Sequence, residues 1–416
     1  MQKVKPLTLR RNFSWAFIGN AIYAACQWGM LVLLAKLGSP EIVGEFTLGL
    51  AIAAPVIMFT DLHLRVVQAT DAKREYLFGD YLGLRLIGVG VALLIIAAIV
   101  SISGYTWKTS LIVLLIGLAK VFESMSDVFY GLIQQSERMD RIAVSLIIKG
   151  LLSLLLLSLG MWVSGDILWG ILGLILAWGG VFFLFDLQSS KLLLNREPKP
   201  RWDFKTLKKL VNISLPLGFV MMLISLNINI PRYFIKEYLG ERELGIFAAI
   251  AYLMVLGNML ILSLGESASP RLAKYYASGD RAAYCQLLLK LVGIAGILGS
   301  AVVLISMIAG KEILTILYKP EYAIHSDIFT WLMIAAAINY VSSFLGYGIT
   351  AARYFRIQIP LFVSVASISG IVCMWLLPNI GLLGAALALI SAAIAQVLFS
   401  LGVIFHALGK FRKNAI

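Results

Sequence analysis

Charge is scarce in this chain. Only 14% of its 416 residues are Asp, Glu, Lys or Arg, while 60% are hydrophobic, against about 25% and roughly 45–50% in an average soluble domain. A chain so apolar over most of its length cannot have water as its solvent, so an integral membrane protein is expected. Cysteine is also rare. Cys26, Cys285 and Cys373 fall in or beside apolar runs at unrelated spacings, which excludes a disulfide framework and a zinc site. The three histidines, His63, His325 and His406, are isolated. No H-E-x-x-H, Cys/His cluster, Ser-His-Asp set or G-x4-G-K-[S/T] loop is present. These absences argue against metalloenzyme chemistry and P-loop nucleotide hydrolysis. Neither a resident metal nor a cofactor is expected, and the chain is not expected to be an enzyme.

What is abundant is apolar runs of about 20 residues, the length that crosses a bilayer. Twelve are expected: 13–36, 41–61, 81–104, 109–133, 142–164 and 167–188, then 210–235, 244–268, 285–309, 327–352, 357–377 and 381–407. The first follows Lys3, Lys5, Arg10 and Arg11 as a signal peptide would. It is too long for a cleaved apolar core and is read as a retained span. The halves are separated by the basic stretch 189–209, with Lys191, Arg196, Lys199, Arg201, Lys205, Lys208 and Lys209 against Glu197 and Asp203. The expected organisation is an N-terminal lobe over 1–188, a basic cytoplasmic linker over 189–209, and a C-terminal lobe over 210–416.

A net charge of +13 in a soluble chain would suggest nucleic acid. Scattered through short loops, it reads as a topology signal, and no nucleic-acid partner is expected. With both termini cytoplasmic, Lys36, Lys108, Arg232, Lys236, Arg242, Lys311 and Lys319 lie outside and Lys120 lies within the membrane. The remaining Lys and Arg, Arg85 and Lys149 among them, fall in cytoplasmic loops or helix ends, as the positive-inside rule requires. Trp107, Trp162 and Trp169 then sit at the outer interface. The halves echo each other: Leu37-Gly38, an acidic residue and Gly44-x-Phe46 recur as Leu239-Gly240, an acidic residue and Gly245-x-Phe247. Six spans per half make these parallel repeats, so the expected fold is all-α, with twelve transmembrane helices in two six-helix parallel repeats. Residues 311–327 alternate aliphatics with charges up to Pro320, as an interfacial helix followed by a turn would.

Several stretches in this order resemble the Wzx-like polysaccharide flippases of the MOP superfamily. They are Ser214-Leu215-Pro216-Leu217, Asn229 with Arg232, Leu239-Gly240 through Phe247, Ser269-Pro270-Arg271-Leu272-Ala273 with Gly279-Asp280, and Ile316-Leu317-Tyr318-Lys319-Pro320-Glu321-Tyr322. The chain departs from that pattern at Pro231, where such relatives often carry Asp. The resemblance implies two six-helix lobes around a cavity, alternating access, and a bacterial cytoplasmic (inner) membrane location. It implies an undecaprenyl-diphosphate-linked oligosaccharide as cargo, with membrane lipids, a polysaccharide polymerase and a chain-length regulator as candidate partners. Coupling to Na+ or H+ stays open.

An ionisable side chain in mid-bilayer costs about 2.5–3.5 kcal/mol or more, so it usually faces a polar cavity or a partner. Lys120, Glu123 and Asp127 share one helical stripe. At about 1.5 Å per residue from Trp107, Lys120 lies about 20 Å deep and Asp127 about 30 Å. Lys120 is then a candidate for attracting a pyrophosphate, and Glu123 with Asp127 a carboxylate pair for a proton or sodium ion. The plainer reading is an internal salt bridge. Asn227, Asn229 and Arg232, near the outer end of span seven, and Arg65 and Arg271 complete the candidate substrate-binding set. Glu266 joins Glu123 and Asp127 as candidate ion-coupling or gate residues, and Asp61 is expected to be simply solvated. Two rivals are a MATE-like antiporter of drugs, metabolites or cations, favoured by a cavity rich in carboxylates, and a membrane-embedded glycosyltransferase or polymerase, which calls for catalytic carboxylates or a large soluble loop.

Overall fold

The computed structural model describes residues 7–71, 74–194, 197–352, 354 and 357–411. Lys3, Lys5 and Arg196 of the basic segments lie outside them. The described residues contain helices and no strand. In order they are α1 (Leu9–Leu37), α2 (Pro40–Thr60), α3 (Leu64–Thr70), α4 (Phe78–Ile102), α5 (Trp107–Gln135), α6 (Met139–Ser164) and α7 (Ile167–Val181). A π-helical turn (Phe182–Asp186) joins α7 to α8 (Leu187–Leu194). Then come α9 (Phe204–Leu239), α10 (Glu241–Ala277), α11 (Arg281–Leu317), α12 (Pro320–Ala323), α13 (Ser326–Ala351), α14 (Gln358–Ile380) and α15 (Leu382–Phe411). Eleven described helical stretches are long and apolar enough to cross a membrane, with α2 through α3 and α7 through α8 each counted as one. The twelfth, α5, has the length at 29 residues but carries Lys120, Glu123 and Asp127.

Local chemistry sets the ends. Ser39 precedes Pro40 at the first position of α2, where a missing N–H costs nothing. Thr106 and Asp166 accept from Thr109 N and Leu168 N to cap α5 and α7. Gly165 closes α6 in the left-handed region at φ 68°, where a side chain would clash. The regular structure reaches into the expected linker from both sides, leaving only 197–203 of its described residues outside helices. A helix satisfies its backbone internally in lipid or water, so charge marks where side chains leave the membrane and not where the helix stops. α9 runs unbroken through Pro216 and Pro231. α11 kinks at Ala309 (φ −120°, ψ 16°) before its last turns, which with the short α12 take up the segment expected to lie at the interface.

The chain forms two compact units, Met1–Ser225 and Leu226–Ile416, divided within α9. In the first, α1 lies along α6 and runs the same way. Gly19 is opposite Ala143, where an added Cβ would come within 2.6 Å of the Ala143 Cα, and such small-residue contacts are how membrane helices approach closely. α5 touches α2, α3, α4, α6, α7, the π-helical turn and α8. The helix that carries Lys120, Glu123 and Asp127 in mid-span is thus packed on many sides. In the second unit, α10–α11, α10–α13, α11–α13, α13–α15 and α14–α15 are packed pairs, and they correspond in order to α2–α4, α2–α5, α4–α5, α5–α7 and α6–α7. Its core joins Tyr284, Leu288, Ala336, Tyr340, Phe344 and Ile349. Trp107, Trp162 and Trp169 are exposed, at the start of α5, the end of α6 and the start of α7.

Candidate functional site

The site grows from the polar stripe of α5: Lys120, Glu123, Ser124, Ser126, Asp127, Tyr130 and Gln134. The buried guanidinium of Arg85, brought by α4, reaches three α5 or α2 groups. It pairs with Asp61, donates to Ser124 Oγ at 3.2 Å, and meets Asp127 Oδ2 at 3.2 Å. Ser124 Oγ in turn donates to Asp61. The Arg85 side chain is 0% exposed, and a cation so enclosed persists only because two carboxylates surround it. Arg65 approaches from the other side, donating through Nε to Gln134 Oε1 at 3.0 Å and through Nη1 to Asp127 Oδ1 at 3.4 Å.

Backbone geometry delivers Arg65. After α2 ends, Leu62 and His63 both adopt φ 53°, a left-handed conformation that costs a residue with a Cβ about 1–2 kcal/mol. This joint buries Leu62 against α9 and restarts the helix as α3 with Arg65 over the Tyr130 ring, 5.5 Å from its centre.

The middle of the stripe is closed. Lys149 on α6 donates to Ser126 Oγ at 2.8 Å and Tyr130 OH at 3.1 Å, and its ammonium lies 3.7 Å from Asp186 Oδ2. Ser145 Oγ donates to Asp186 Oδ1 at 2.5 Å. The Lys149 and Asp186 side chains are 1% and 0% exposed. Asp186 ends the π-helical turn, whose wider winding rotates its side chain relative to an α-helical register. Farther along, Lys120 Nζ meets Glu123 Oε2 at 2.5 Å and lies 5.4 Å from the Trp178 ring, while Tyr23 OH donates to Glu123 Oε1 at 2.8 Å. Trp178 Nε1 donates to Ser153 Oγ at 2.7 Å. Tyr130 and Trp178 therefore tie the three clusters into one ladder.

Four expected residues, Lys120, Glu123, Asp127 and Arg65, lie on this ladder. The expected carboxylate pair does not form, because Glu123 is held by Lys120 and Tyr23, and Asp127 by Arg85 and Arg65. Asp61 is not simply solvated: the buried Arg85 and Ser124 engage it. Arg85 and Lys149, expected at charged helix ends, are fully enclosed instead. In the second unit, Arg232 Nη1 donates to Asn229 Oδ1 at 2.9 Å. The buried Oδ1 of Asn227 has no hydrogen-bond partner among the described residues. Glu266 and Arg271 are exposed near the end of α10. Sequence reasoning missed Tyr23, Arg85, Lys149, Trp178 and Asp186. The available signal was a charge well inside an apolar run, as at Lys149 within residues 142–157.

Residues 9–276, well over half of the chain and including the whole ladder, match the family described as polysaccharide biosynthesis protein. The chain belongs to that family. A relative from Staphylococcus aureus named capsular polysaccharide biosynthesis protein CapF is 28% identical over 379 residues, 91% of this chain and 95% of CapF. Among solved structures, an inward-facing MATE family multidrug resistance transporter of the MOP superfamily aligns with a TM-score of 0.70 at 12% identity, covering 96% of this chain and all of that one. The lipid II flippase MurJ, in an inward closed conformation, aligns with a TM-score of 0.70 at 12% identity, covering 96% and 90%. The chain thus has the MOP transporter fold.

Proposed function

We propose that the protein carries an undecaprenyl-diphosphate-linked oligosaccharide across the bacterial cytoplasmic membrane by alternating access, without covalent chemistry. The observation that carries this reading is the charged ladder inside helices of membrane length, in a family concerned with polysaccharide biosynthesis. Hydrocarbon would strip water from a sugar and a diphosphate at several kcal/mol for each unpaired group, about 2–7 kcal/mol each. A ladder of ion pairs offers replacements. Two of its cations, Lys120 and Arg65, keep partly exposed side chains, and each is held by a carboxylate that an incoming diphosphate can displace. Arg85 and Lys149 are enclosed and hold the helices in register for that exchange. The relatives support the class of cargo: one is named for capsular polysaccharide biosynthesis and a fold neighbour is a lipid II flippase.

A cation antiporter is the second reading, favoured by the MATE neighbour. Against it, each ladder carboxylate is met by a cation of the chain itself, which leaves little anionic surplus for a cationic cargo. The test is flipping of a lipid-linked oligosaccharide in proteoliposomes, scored on each leaflet. Lys120→Ala and Arg65→Ala are each expected to slow it by about tenfold or more, the cost of one lost charged interaction. Unchanged flipping by both variants would sink the exchange. Full rescue of Lys120→Ala by adding Glu123→Gln would reduce that pair to a packing bridge.

A further inference from the structure

We propose that residues 199–209 form a binding site for the headgroups of anionic phospholipids, which holds the first turn of α9 at the bilayer surface. Lys199, Lys205, Lys208 and Lys209 are all exposed, and none forms an ion pair among the described residues. Between them Trp202 is 51% and Phe204 76% exposed. Aromatics offered to the surroundings among lysines are the composition of an interfacial anchor, where rings enter the headgroup layer and cations meet lipid phosphates. The lone carboxylate of the stretch, Asp203, is engaged by its own turn, accepting from Lys205 N at 3.1 Å and Thr206 Oγ1 at 2.7 Å.

The cations are also held in place. Arg201 N donates to Gly79 O at 2.8 Å, and its guanidinium stands 3.6 Å from the buried Asp80 carboxylate at the start of α4. Pro198 and Pro200 fix φ on either side of Lys199. Leu207, Leu210 and Ser214 turn one face of α9 inward, so Lys205, Lys208 and Lys209 look out from the other. A segment fixed in this way orders little on binding, which favours affinity. A solvated topology signal needs neither the fixed backbone nor the two exposed rings. The assignment does not depend on the transported cargo.

The experiment is native mass spectrometry of the full-length protein in neutral detergent, titrated with equimolar phosphatidylglycerol and phosphatidylcholine. Wild type is expected to retain phosphatidylglycerol preferentially. Replacing Lys205, Lys208 and Lys209 together by Gln is expected to reduce that preference by about tenfold or more. The control replaces Lys274, Arg281 and Lys290 by Gln, removing the same charge from exposed positions elsewhere, and is expected to leave the preference intact. Equal loss in both triple variants, or no preference in wild type, overturns the site. Competition by millimolar inorganic phosphate overturns it too, since the site would then bind free anions and not a lipid surface. Should the first variant not fold, Trp202→Ala with Phe204→Ala tests the aromatic half, and unchanged retention of phosphatidylglycerol overturns the anchor.

Discussion

The two units share a plan of helix contacts and differ in what they bury. In the first, Glu45, Asp80, Arg85, Lys149 and Asp186 are buried. In the second, the described buried polar residues are Asn229, Ser306, Ser342, Ser369 and Ser400, with no charge among them. The contrast is sharpest between corresponding helices. α5 carries Lys120, Glu123 and Asp127, whereas α13 carries Asn339, Ser342 and Ser343, whose hydroxyls bond back to Asn339 at 2.9–3.2 Å. Tyr284 OH donates to Gly348 O at 2.9 Å and Tyr318 OH to Ala249 O at 2.7 Å, so neutral hydroxyls on backbone carbonyls do there what ion pairs do in the first unit. Packing alone can therefore be met by neutral groups in this fold. The charges of the first unit are thus not dictated by the plan of helix contacts alone.

The comparison breaks most visibly at Arg85. Arg85→Met leaves Asp61 and Asp127 without their shared cation and is expected to cost about 3–5 kcal/mol, the usual penalty for removing one partner of a buried pair. Thermal unfolding of the protein in detergent reads it, and adding Asp61→Asn and Asp127→Asn is expected to restore most of the loss. A variant as stable as wild type would mean that the enclosed guanidinium does not organise the unit. Lys149→Met comes next, at about 3 kcal/mol through the stranded Asp186. Lys149→Met with Asp186→Leu is expected to return near wild-type stability, because a buried pair replaced by apolar groups is often neutral. If that double variant also flips normally, this pair is scaffold and the working charges are Lys120 and Arg65. In the second unit Tyr284→Phe removes one hydrogen bond and is expected to cost only about 0.6–1.5 kcal/mol. A loss matching that of Arg85→Met would erase the distinction between the units.

How much of this was legible depends on where each charge sits in its apolar run. Twelve spans were readable because length and apolarity are additive along the chain. Lys120, Glu123 and Asp127 stood out because they lie deep inside one span. Asp186 did not, because it closes an apolar run beside a basic stretch, where a charge usually means the membrane has ended. Lys149 lay well inside its run, but its partners Ser126, Tyr130 and Asp186 lie on other segments. Asp61 and Arg65 are four apart and would pair on a continuous helix, but the left-handed step at Leu62 and His63 breaks the register. Asp61 goes to Arg85 of α4 and Arg65 to Asp127 of α5. Partnerships between helices depend on packing, and no spacing rule within one segment carries them.

The smallest expected effect asks whether burial, and not charge alone, sets the first unit apart. Asp203 lies in the same unit with a fully exposed carboxyl, held below the usual carboxylate range chiefly by the hydrogen bond from Thr206. A carboxyl with a depressed folded-state pKa adds stability above its unfolded value of about 3.9, and that contribution fades as pH falls through the folded value. Asp203→Asn cannot titrate. Melting curves of wild type and Asp203→Asn in detergent are therefore expected to keep a constant separation down to about pH 4, and to converge slightly below it as wild type loses its small advantage. Solvent screening keeps that advantage far below the Arg85 effect. A convergence as large as the Arg85→Met loss would show that an exposed charge matters here as much as an enclosed one, and the ladder would then lose its claim to be special because it is shut away from water.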